Sequence, residues 1–72
     1  MNAFEIQKKI DLIHDSTEPL WFSVTQNSDI LAVEFGSTGY LIRFFTQHFD
    51  TLKRHKLRTK VVGTIMLVWE QK

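Results

Sequence analysis

The chain has 72 residues, no cysteine, one proline and a formal net charge of +1, so it is long enough for one small domain and too short for two. The absence of cysteine excludes disulfides and thiolate zinc sites, and 43% hydrophobic with 24% charged residues excludes a disordered composition. We therefore expect a single domain over residues 1–72, without a metal or cofactor. Domains of this size often need additional stabilisation, which here would come from nine aromatic residues (six Phe, two Trp, one Tyr) and from a partner.

The near-neutral total conceals two segments of opposite charge. Residues 1–50 carry three basic and seven acidic side chains, or −4, whereas residues 53–72 carry six basic and one acidic, or +5. Segregated charge of this kind concerns partners rather than fold. Because Glu5, Lys8 and Lys9 interrupt the first ten residues, no secretory signal is predicted. No apolar run approaches the ~20 residues of a membrane span. We expect a cytoplasmic protein that does not contact membranes.

A helix is predicted from about Asn2 to His14. Asn2 is a suitable N-cap residue, and Glu5 follows at the spacing of a capping box. Four apolar residues recur at helical spacing and should form its buried face: Ala3, Ile6, Ile10 and Ile13. Pro19, which disfavours helical geometry in the residue before it, lies beyond the predicted end.

A β-hairpin is predicted next. Its strands are 20–25 and 30–35, and the polar segment 26–29 forms the turn. In the second strand, Leu31, Val33 and Phe35 alternate with Ile30, Ala32 and Glu34, so the two sets should lie on opposite faces.

The segment 36–56 permits two interpretations. Its first residues, 36–39, resemble a hairpin loop, and 40–46 is rich in aromatic and β-branched residues, which favour a strand. A stripe of apolar residues from Leu41 to Leu52 recurs instead at helical spacing. The leading expectation is a third strand over 40–46 followed by a short helix over 47–56, and the alternative is one helix over 39–55.

The last segment, Val61 to Trp69, is apolar at almost every position, which indicates a central strand covered on both faces. The predicted fold is thus an α+β domain with an antiparallel sheet of three or four strands, in the order α-β-β-β-α-β or α-β-β-α-β. The N-terminal helix covers one face of the sheet. The second, short helix lies at an edge or on the other face, which another chain would otherwise have to cover.

A basic run precedes the last strand. Five of the eight residues from 53 to 60 are cationic, namely Lys53, Arg54, Lys56, Arg58 and Lys60. Such a cluster is what binding to the phosphates of DNA or RNA requires, and an acidic protein would suit it equally. The alternative is a solvated helix end whose cations complement the helix dipole.

Three aromatic residues lie on the side of their predicted strands that faces away from the apolar residues with the clearest alternation. They are Trp21, Tyr40 and Trp69. Tyr and Trp are enriched at protein interfaces, so we predict that they contact a partner. Exposed aromatics beside cations also serve as stacking platforms for single-stranded nucleic acids.

The sequence leads to three functional hypotheses. The first is a non-enzymatic binding or regulatory module that acts as a homodimer, or as an inhibitor or adaptor of another protein. The second is a nucleic-acid-binding protein that uses the basic run. The weakest is a small toxin-type ribonuclease with His48 and His55 as acid and base, beside Arg54 and Lys56.

Overall fold

The computed structural model describes residues 1–14, 19–24 and 28–71. In chain order the elements are α1 (Ala3–Ile13), β1 (Leu20–Val24), β2 (Ile30–Phe35), α2 (Thr38–Arg54), β3 (Leu57–Val62) and β4 (Ile65–Glu70). The four strands form one antiparallel sheet in the order β1-β2-β4-β3. The predicted α+β class is confirmed, and β3 is the strand that the shorter predicted order lacks. The segment 15–18 between the predicted helix and the first strand, residue 25 of that strand and half of the predicted turn at 26–29 lie outside the described residues.

The N-terminal helix is confirmed together with its cap. The Asn2 side-chain oxygen accepts a hydrogen bond from the Glu5 backbone N–H at 2.9 Å, which satisfies a donor that the first helical turn leaves open. At the other end, the His14 N–H donates to the Ile10 carbonyl. The face formed by Ala3, Ile6 and Ile10 is buried, as the spacing of the apolar residues predicts.

The strand expected over 40–46 is wrong, and the alternative of a single helix is right. The Ser37 hydroxyl caps α2 by accepting from the Tyr40 N–H at 3.2 Å, so 36–39 leads into a helix instead of forming a hairpin loop. The helical stripe of Leu41, Phe44 and Leu52 is buried. Burial of this stripe against the sheet outweighs the local strand preference of the aromatic and β-branched residues around it.

The continuous strand expected from Val61 to Trp69 is also wrong, because the chain reverses direction in the middle of it. Val62 pairs with Ile65 across a two-residue turn, and the first turn residue, Gly63, has φ +62°. Glycine at that position, with positive φ there alone, is typical of a type II′ hairpin turn. The apolar run therefore supplies the end of β3 and most of β4, and both basic residues from 57 to 60, Arg58 and Lys60, lie in strand β3.

Both helices pack on the same face of the sheet. Their buried residues form one cluster with inward-facing residues of β2, β3 and β4, and the Phe35 and Phe44 rings lie 5.4 Å apart at its centre. The second helix was expected at an edge or on the opposite face, so this placement corrects the prediction. Because both helices of the described residues pack on one face, no helix in residues 1–14, 19–24 and 28–71 covers the other face of the sheet.

Candidate functional site

Alternate residues of the four strands form the helix-free face of the sheet, which we call the open face. The strand register places them in three rows across the sheet. No residue of the open face is buried, whereas the described residues that are buried are all apolar and belong to the core. The members of the open face are Trp21, Ser23, Ile30, Ala32, Glu34, Arg58, Lys60, Val62, Ile65, Leu67 and Trp69.

The centre of the open face is aliphatic. Ala32 on β2 lies opposite Leu67 on β4, with Ile65 two residues before Leu67 on β4 and Ile30 two residues before Ala32 on β2. Ile30 is 48% exposed. From the spacing of strands and residues, the face measures about 14 Å across the strands and about 13 Å along them between Cα positions. A contiguous apolar surface of this kind is typical of sites where a protein binds a partner.

The two tryptophans lie in opposite end rows of the open face, one on an edge strand and one on an interior strand. Trp21 is on edge strand β1, opposite Glu34, and is 58% exposed. Trp69 is half-buried on β4 between Ile30 and Arg58. Two strand spacings and four residues separate the tryptophans, so their Cα positions are about 16 Å apart.

The charged residues of the open face are separated by sign. Arg58 and Lys60 are exposed on β3, at one edge of the sheet. Glu34 is exposed on β2 beside edge strand β1, at the other side. The described part of the open face is therefore cationic at one edge, apolar in the centre and acidic toward the opposite edge.

The remaining cations of the basic run lie around the end of the sheet. Lys53 and Arg54 are in the last turn of α2, and the Lys53 ammonium lies 5.9 Å from the centre of the Phe49 ring. Lys56 connects α2 to β3 in the left-handed conformation, with φ +60°, and its carbonyl accepts from the Gln71 N–H at 2.7 Å. The five predicted cations thus curve from the helix end onto the open face instead of lining one surface.

Tyr40 does not join the tryptophans. It lies near the start of α2, on the helical side of the sheet, where it lines a shallow groove with Ser37, Gly39 and Arg43. The structure therefore brings together two of the three aromatics predicted to contact a partner and places the third on another surface.

The two candidate catalytic histidines lie within α2 and at its C-terminal end. The half-buried His48 ring packs against Phe44 at 4.7 Å between centroids. His55 is the C-cap of α2, and its N–H donates to the Thr51 carbonyl at 3.2 Å. Among residues 1–14, 19–24 and 28–71, no group of three His, Asp or Glu side chains is placed to hold a metal ion.

One further contact lies at the end of the open face that carries Trp69. The N-terminal amine of Met1 donates to the Glu70 carboxylate. This hydrogen bond raises the pKa of the amine above its ordinary value of 8.0, and the charge of Glu70 adds to the effect. A groove of about 490 Å³ beside this contact reaches Asp29, Arg58 and Trp69.

Sequence reasoning had placed Ile30, Ala32 and Glu34 on a shared strand face, but it had not recognised that face as open. Ile65, Leu67 and Trp69 give no such signal, because Met66 and Val68 between them are also apolar and the sequence does not show which set faces the helices. Which residues lie side by side on the face depends on the register of three strand pairs, which the sequence does not specify.

The chain matches no protein family, no curated protein and no solved structure at a significant level. In the part of the chain that the structure describes, no helix is long and apolar enough to cross a bilayer. The functional argument accordingly depends on the geometry of the open face.

Proposed function

We propose that the protein is a small non-enzymatic binding module that associates with a second copy of itself through the open face. The apolar centre of that face carries the proposal, because Ile30, Ile65 and Leu67 lie on the two interior strands and neither of the two described helices covers them. Removing apolar surface from water is the main driving force of protein association. Two sheets that pack face to face bury such rows at a separation of about 10 Å.

The layout of the face supports a protein partner better than a single-stranded nucleic acid. Base stacking needs aromatic rings within reach of successive bases, but about 16 Å separates the Cα positions of Trp21 and Trp69, and aliphatic side chains fill the space between them. The Glu34 carboxylate beside Trp21 would also repel phosphates. A protein sheet packed on this face does not need closely spaced aromatic rings and has no phosphates for Glu34 to repel.

The size of the face sets the expected strength of the association. Including side chains that project past the outer strands, it offers on the order of 400 Å² per copy, about half of the ~800 Å² per partner in a standard stable complex. We therefore expect a reversible dimer with a Kd on the order of 10 µM, corresponding to about −7 kcal/mol.

Sedimentation velocity across concentrations tests this proposal. The parent chain should pass from monomer to dimer between about 1 and about 300 µM, the range that a micromolar Kd requires. Leu67→Lys places a charge in the centre of the face and should keep the chain monomeric. Leu12→Lys is the matched control, since Leu12 is 85% exposed on α1, on the helical side of the sheet, and should dimerise like the parent. A parent chain that stays monomeric throughout would contradict the proposal.

A second candidate function, nucleic-acid binding, is favoured by one observation. Arg58 lies opposite Trp69 in the β3–β4 register, and Lys60 is two residues further along the same strand, so two cations flank one aromatic ring. Fluorescence polarisation with single-stranded DNA and RNA at two salt concentrations tests it. Binding that weakens steeply with salt, and that Lys56→Glu with Arg58→Glu abolishes, would support this function. Equal binding by parent and variant would exclude it.

A cytoplasmic location is part of the same proposal. The chain has no cysteine, so its stability does not depend on an oxidising compartment. Fractionation of cells that express a tagged chain tests the location, and recovery in a secreted fraction would contradict it.

A further inference from the structure

We infer that the two copies are related by a two-fold axis parallel to their strands, so that Lys60 on the cationic edge of each copy faces Glu34 of the other. This inference rests on the proposed self-association and adds the orientation of the pair. It follows from the strand order and from the separation of charge on the open face.

The strand order determines which strands meet in each orientation. The sheet runs β1-β2-β4-β3. When two such sheets pack face to face about an axis parallel to the strands, the order of one is reversed over the other. β3 of each copy then lies over β1 of the second copy, and β4 over β2. When the axis instead runs across the strands, each strand lies over its own counterpart, β3 over β3.

Charge distinguishes these two orientations. With the axis across the strands, Lys60 of one copy would face Lys60 of the other, with Arg58 two residues away on the same strand, and like charges brought together in an interface are strongly unfavourable. With the axis parallel to the strands, the same cations face the edge that carries Trp21 and Glu34. That edge offers a carboxylate and an exposed indole, both of which attract cations.

The distances agree with a direct contact. In the favoured orientation, the Cα positions of Lys60 and of Glu34 in the second copy are offset by about 8 Å in the plane of the sheet. The sheets themselves are about 10 Å apart and rotated by about 30°, as in aligned sheet packing. Lys60 and Glu34 are both exposed, and two long side chains reach across this gap. The two-fold axis makes the contact occur twice.

Charge reversal provides a test that does not disturb the fold, because both side chains are exposed and neither belongs to the core. Glu34→Lys alone places two cations in each contact, and Lys60→Glu alone places two carboxylates there. Each single variant should dimerise about tenfold more weakly than the parent. A mixture of the two single variants should form a heterodimer in which both contacts are complementary, within about threefold of the affinity of the parent. Native mass spectrometry of one ¹⁵N-labelled variant with the other unlabelled measures the heterodimer directly.

The outcomes separate this inference from the function on which it rests. Preferential pairing of Lys60→Glu with Glu34→Lys over pairing with the parent chain supports the orientation. If Lys60→Glu instead pairs equally well with the parent chain and with Glu34→Lys, and Glu34→Lys alone dimerises like the parent, β3 faces β3 and the orientation is wrong. If all charge variants dimerise like the parent while Leu67→Lys does not, the open face associates but Glu34 and Lys60 do not orient it. A parent chain that is monomeric, with or without bound oligonucleotide, overturns both the orientation and the proposed function.

Discussion

Replacing Trp21 by alanine should weaken self-association much more than it alters the isolated fold. Trp21 is 58% exposed, so for a side chain that can bury up to about 250 Å², about 145 Å² remains available to a partner. At about 25 cal/mol per Å², full burial of that area would contribute up to about 3.6 kcal/mol per copy. Ordering of the interface and incomplete burial reduce this value. We expect Trp21→Ala to weaken the free energy of dimerisation by about 1.5–3 kcal/mol, which corresponds to a Kd at least tenfold higher.

The control for this substitution is another exposed aromatic residue. Phe4 is 54% exposed, almost as much as Trp21, but it lies on α1, away from the open face. Phe4→Ala should leave the dimer unchanged. Sedimentation velocity measures association, and urea unfolding at about 1 µM, where the chain is monomeric for a micromolar Kd, measures the fold separately. If Phe4→Ala weakens the dimer as much as Trp21→Ala, or if neither does, the assignment of the interface to the open face is refuted.

Three further predictions concern the scaffold. A Cβ at Gly36 would lie 2.9 Å from the Pro19 ring, so Gly36→Ala should destabilise the fold by about 1–3 kcal/mol through overpacking. A Cβ at Gly39, within α2, would lie at an ordinary contact distance of 3.7 Å from the Ser37 hydroxyl, so Gly39→Ala should be neutral or stabilising by up to about 1 kcal/mol; urea unfolding of the two variants checks both. Lys56→Gly should raise the free energy of unfolding by about 0.5–1 kcal/mol, measured in urea, because glycine adopts φ +60° without the penalty of a side chain. The raised pKa of the N-terminal amine beside Glu70 stabilises the fold below pH 8.0, its ordinary pKa, and this contribution is lost as the pH rises through the raised pKa. Stability curves of the parent and of Glu70→Gln should therefore converge at high pH, and a constant difference between them would contradict the assignment.

The sequence predicts the local structure well wherever one periodicity dominates. The first helix and the β1–β2 hairpin follow from the spacing of Ile6 and Ile10 and from the alternation of Leu31, Val33 and Phe35, and both are confirmed. The second helix was misjudged because its residues prefer strands locally, whereas its buried stripe is helical. Packing of the buried stripe against the sheet makes this segment a helix. The strand preference of each single residue takes no account of that packing.

The candidate site was predictable in part. Trp21 and Trp69 were singled out from the sequence, and they lie on one face. Their separation, and the position of Lys60 relative to Glu34, depend on the turn at Gly63 and on the register it creates between β3 and β4. An apolar run gives no clear sign of such a turn, because one glycine with positive φ is enough to reverse the chain.

Fluorescence quenching tests the central claim most directly, because Trp21 and Trp69 are the two tryptophans of the chain and both lie on the open face. We expect the acrylamide quenching constant of the parent to fall as the concentration rises from about 1 to about 300 µM, the range over which a micromolar dimer forms. Leu67→Lys should keep the high value throughout. If the parent dimerises by sedimentation while its quenching constant stays unchanged, the copies associate through another surface, and the assignment of function to the open face is wrong.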